Sequence, residues 1–112
     1  MKKNIFFIFL FVVLIPWASA QPPSEINLDY DGEGKKLIVE IRHPTSSTRD
    51  HHIQKIFVYK NGEEIYAQGL PTQNRAWGHE LEIPIEAKTG DLIRLKAKCN
   101  KSGYKESELT IP

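Results

Sequence analysis

Ile53-Gln54-Lys55-Ile56-Phe57-Val58-Tyr59-Lys60-Asn61-Gly62-Glu63-Glu64-Ile65-Tyr66-Ala67-Gln68 is the stretch on which the fold turns. Two runs rich in β-branched and aromatic residues flank Asn61-Gly62, a pair that tolerates the positive φ angles of a two-residue hairpin turn. Outward from this hairpin the chain keeps the same grammar, short runs broken by turn residues. Asp31-Gly32-Glu33-Gly34, Gly69-Leu70-Pro71 and Thr89-Gly90-Asp91 mark further turns. Strands are expected at 25–30, 36–42, 53–60, 63–68, 79–85, 91–98 and 104–111. Beyond the N-terminal apolar segment no part of the chain carries a sustained 3.6-residue apolar period. Seven short strands in about 90 residues is the pattern of an all-β, immunoglobulin-like β-sandwich.

Alternation within these strands says which side chains face the core. Leu37, Val39 and Ile41 share a face, and His43 is the next residue on it. Leu81, Ile83 and Ile85 share a face that His79 begins, and Ile93, Leu95 and Ala97 share one that Cys99 continues. If successive strands run antiparallel, the loops after strands two and six lie at one end of the sandwich. His43, His51 and His52 belong to the first of these loops, Cys99 opens the second, and the strand that His79 begins starts at the same end. This topology places four histidines and the one cysteine at a single rim.

The start of the chain is of another kind. Met1, Lys2 and Lys3 precede a nearly unbroken apolar run from Ile5 to Ile15, and Ala18-Ser19-Ala20 follows. That is the pattern of a secretory signal over residues 1–20, and the run is shorter than the ~17–20 residues that span a bilayer. A mature domain of 21–112 is therefore expected, secreted or periplasmic, with no membrane attachment after cleavage and with room for one modest core. Of the 15 Lys and Arg, 13 remain without Lys2 and Lys3, against 14 acidic residues, and no basic stripe stands out. Nucleic acid and anionic membranes are accordingly poor partners. Cysteine usage is more telling. A single cysteine makes no internal disulfide, and a lone thiol in an oxidising compartment calls for burial, ligation or pairing with another chain.

Two imidazoles and a thiolate form a donor set for iron, copper or zinc, and His₂Cys is the set of trigonal copper centres. His43, His51 and Cys99 are thus candidate ligands of a mononuclear iron or copper ion. A thiolate donor pushes electron density onto a metal, which suits redox work.

These residues also carry a resemblance. His43-Pro44, His51-His52-Ile53-Gln54-Lys55-Ile56 and Cys99-Asn100-Lys101-Ser102-Gly103 resemble the iron-binding domain of superoxide reductases, the desulfoferrodoxin and neelaredoxin family, from about Lys35 to the C-terminus. The resemblance implies a seven-stranded sandwich and an iron held by four equatorial histidines and one axial cysteine. It also implies reduction of superoxide to peroxide with an external electron donor. Carried over by position, His43 and His51 are equatorial ligands and Cys99 the axial thiolate, while His52 falls where the family has a Tyr or His that is not a ligand. Two departures stand out. Ser102 occupies the place of the histidine in the family's Cys-Asn-x-His run, and residues 21–36 contain no counterpart of the family's N-terminal Glu-Lys-His loop.

His79 is the best-placed replacement ligand from outside the motif. Ser102 reads as a turn residue, Asp50 as a solvated loop acid and Trp77 and Tyr66 as packing or surface residues rather than a redox relay. The leading expectation is an exported iron or copper redox protein resembling superoxide reductase. The alternatives are a non-catalytic sandwich module that uses the same loop end to bind a protein, such as a sulfur-oxidation component linked through Cys99, or a metal chaperone.

Overall fold

Seven strands account for the fold in the computed structural model, which describes residues 23–112. The expected leader at 1–20 lies outside the described residues. In chain order the strands are β1 (Glu25–Asp31), β2 (Lys36–Arg42), β3 (Ile53–Lys60), β4 (Glu63–Gly69), β5 (Gly78–Pro84), β6 (Leu92–Cys99) and β7 (Tyr104–Thr110). No boundary departs from the sequence expectation by more than one residue. All pairings are antiparallel, in a three-stranded sheet ordered β1-β2-β5 and a four-stranded sheet ordered β4-β3-β6-β7.

The hairpin between β3 and β4 explains this partition. Lys60 faces Glu63 across the turn, with Asn61 at φ 52° and Gly62 at φ 90°. Positive φ at both central residues twists the turn in the sense of the strands it joins, so β4 stays beside β3. At the first connection, the amides of Glu33 and Gly34 donate to Asp31 Oδ1 at 3.0 and 3.1 Å, which folds the chain back from β1 into β2.

The core lies between the sheets. Leu37, Val39 and Ile41 from β2 and Ile83 from β5 meet Ile56 and Val58 from β3 and Ile93, Leu95 and Ala97 from β6, all buried. One irregularity matters for the site. Between Ile53 and Lys55 the register of β3 against β6 slips, so that Ile53 pairs with Cys99 and Lys55 with Lys98. The extra residue of such a bulge reverses the facing of what precedes it. Ile53 therefore points into the core with Ile56, although an odd number of steps separates them, and it lies opposite the inward-facing Cys99.

Candidate metal centre

Each candidate donor sits where a core-facing stripe runs out. Beyond β2, the amide of His43 donates to the Trp77 carbonyl at 2.8 Å, extending the β2–β5 ladder by one bond so that the His43 side chain follows Ile41 inward. Cys99 ends β6. Its amide donates to the Gly103 carbonyl at 3.1 Å, closing the turn into β7, and Lys101 presents its own amide to Cys99 Sγ at 3.4 Å. His51 comes from the intervening loop, where Thr45 Oγ1 accepts from the Ser47 amide and the His51 amide donates to the Ser47 carbonyl at 2.9 Å.

Asn100 binds that loop to the β6 end. Its side chain accepts from the His52 amide at 3.0 Å and donates to the Asp50 carbonyl at 2.9 Å, and its own amide donates to the His52 carbonyl at 3.1 Å. With residues 50 and 52 both clamped, His51 is held over Cys99.

The outcome is a group of three. One ligand atom from each of His43, His51 and Cys99 lies within 4.8 Å of the others. The rings of His43 and His51 meet edge to face, with centroids 4.6 Å apart. Donors bound at about 2.0–2.3 Å to one ion at tetrahedral or trigonal angles lie about 3.3–3.8 Å apart, so the group closes by up to about 1 Å around a metal. Cys99 is 1% exposed and His43 likewise. The chemistry of the set, two borderline nitrogens and one soft sulfur, suits iron, copper or zinc.

His52 and His79 share the rim and stand outside this group. Both turn toward the segment between β4 and β5. His52 Nε2–H donates to the Leu70 carbonyl at 2.9 Å, while the Asn74 amide donates to His79 Nδ1 at 3.1 Å. His79, the replacement ligand that its position suggested, lies outside the three-donor group. Asp50 contributes through its carbonyl, and its exposed side chain is the solvated acid expected. Trp77 lies under the Arg42 guanidinium, 5.4 Å from it, as a packing residue.

Burial holds the His79 imidazole below the usual histidine range; repulsion from His52 adds to this and Glu80 opposes it. An unfolded chain takes up this proton near pH 6.5, whereas the folded one resists it. Stability is therefore full above about pH 6.5 and falls as the pH drops below it. In thermal melts between pH 7 and 5 with chelator present, His79→Gln is expected to show a shallower acid-side decline. An unchanged slope would remove His79 as a source of acid sensitivity.

Sequence reading missed Gln73. It is 4% exposed and touches the His43 ring through its carboxamide oxygen. Its only outward signal is an amide side chain in the turn-rich run Pro71-Thr72-Gln73-Asn74.

No protein-family profile and no curated protein matches the chain. Solved structures do. A superoxide reductase (neelaredoxin) from Ignicoccus hospitalis has a TM-score of 0.61 at 13% identity, covering 99% of this chain and 98% of that one. A superoxide reductase crystal structure in the oxidized state has a TM-score of 0.56 at 20% identity, covering 82% of this chain and 90% of that one. The likeness is one of fold, and the fold is the one that the motif resemblance implied.

Proposed function

We propose that the chain, built on the fold that superoxide reductases use, is an exported metal-binding redox protein with a mononuclear iron at His43, His51 and Cys99. The observation that carries this reading is the convergence of three donor atoms within 4.8 Å, from two sheets and a loop. When bound, a metal of this kind supplies one-electron chemistry. The protein's part is to hold the donors: imidazoles at His43 and His51, a sulfur at Cys99 that the Lys101 amide faces, and burial that shields that sulfur from oxidation. The electron comes from an external donor, and a small oxidant such as superoxide receives it.

Copper is the second reading, favoured by the donor count. Among the described residues no fourth His, Cys, Asp or Glu joins the group, and His₂Cys is a trigonal copper set. Titrating the metal-free protein with iron(II) in air and with copper(II) separates the two. The metal that belongs there produces an intense thiolate-to-metal absorption band, and Cys99→Ser is expected to abolish it. If neither metal binds more tightly than micromolar, the redox reading fails and a protein-binding module takes its place. If metal binds but superoxide is not consumed in the presence of a reductant, the protein is a metal carrier.

A further inference from the structure

We infer that Gln73 is a positioning residue that sets which nitrogen of His43 faces the metal; the inference rests on the metal reading proposed above. The carboxamide reaches four groups. Its nitrogen lies 3.1 Å from the carbonyl oxygen of His43 and 3.1 Å from that of Arg75, and both of these only accept. Its oxygen lies 3.0 Å from the amide nitrogen of Ile53, which only donates. These three contacts leave one orientation of the amide, with NH₂ toward the two carbonyls and oxygen toward Ile53.

His43 Nδ1 meets that same oxygen. Because the oxygen only accepts, Nδ1 carries the hydrogen and donates it. The lone pair of the neutral imidazole is then on Nε2, the other side of the ring, so the donor that His43 contributes is Nε2. The hydrogen bond also fixes the rotation of the ring about its bond to Cβ. An acceptor behind a ligating histidine sets its tautomer and raises its basicity, and losing it commonly lowers metal affinity 10–100-fold.

Gln73 is itself fixed by more than its side chain. Its amide donates to the Thr48 carbonyl at 3.1 Å, and Thr72 Oγ1 donates to the same carbonyl at 2.8 Å. The loop carrying Gln73 is thereby latched to the loop that carries His51. One buried carboxamide thus gathers the end of β2, the start of β3 and the approach to β5, and its setting is transmitted to the metal through a single ring.

The test begins with the metal-free wild type at pH 8, where the ¹⁵N shifts of the His43 ring report its tautomer. Nδ1–H is expected, and an Nε2–H pattern in the folded protein overturns the inference whatever the variants do. Gln73→Met, close in volume and without an acceptor, is expected to lose the tautomer preference and 10–100-fold in iron or copper affinity. Gln73→Glu keeps an oxygen for both His43 and Ile53. It is expected to retain Nδ1–H, and to bind the metal at least ten-fold more tightly than Gln73→Met. A folded Gln73→Met with wild-type tautomer and affinity, or a folded Gln73→Glu that switches to Nε2–H, refutes the role. A wild type that shows Nδ1–H and binds no metal defeats the metal reading alone, since the ring measurement needs no ion.

Discussion

Replacing Gly78 by alanine is expected to destabilise the domain by about 4 kcal/mol or more, among the largest effects a single methyl group can have. A Cβ at this position would lie 1.8 Å from the Ile41 carbonyl oxygen and 2.9 Å from its carbon. Those atoms are backbone of the neighbouring strand β2, and no side-chain rotation relieves the contact. The strands must separate, and they would do so where the core stripe of β2 hands over to His43. With ~0.05–0.15 kcal/mol of stability per residue to draw on, a domain of this size loses a large part of its margin. The melting temperature should fall by about 15 °C or more. Metal affinity should fall with it, because the pairing of His43 with Trp77 lies beside the displaced residue. A Gly78→Ala protein that melts within about 3 °C of wild type would show that the two strands approach less closely than described.

Ile53→Ala should cost about 2–5 kcal/mol, by lost burial and by the cavity left behind. Ile53 is fully buried, faces Cys99 across the β3–β6 ladder, and sends its amide to Gln73. Truncation here empties the floor beneath the donors, so metal binding is expected to weaken along with the fold. Ile111→Ala provides the control. Ile111 is also buried but lies at the opposite end, where its amide donates to the Asp91 carbonyl at 2.9 Å. It should lower stability while leaving the metal affinity of the folded protein unchanged. Equal losses of affinity in the two variants would mean that the site responds to global loosening alone.

The strands were legible because alternation and turn residues act locally, over a few positions each. The rim was legible for a related reason: with strand ends known, antiparallel order brings His43, His51 and Cys99 to one end. Ile53 was not. Strict alternation puts it outward with Lys55 and Phe57, and only the slip against β6 turns it in. That bulge leaves no mark in the composition of the strand. Gln73 was hidden more deeply, since its contact with His43 spans 30 residues of chain and depends on how an aperiodic loop folds back. The same loop explains His52 and His79. Both reach the expected rim, yet each is hydrogen-bonded to the backbone of residues 70–74.

His43 follows the second strand and Cys99 ends the sixth, in opposite sheets. In antibody domains these two strands are the ones that a disulfide bolts together across the sandwich. A chain with one cysteine has no such bolt. An ion shared by His43 and Cys99 would take its place near the edge of the same seam, with His51 as a third anchor. It would be a clasp that opens with a chelator rather than with a reductant. Its contribution to holding the layers together would then track metal supply in the surroundings, so that a starved molecule would be easier to pull apart.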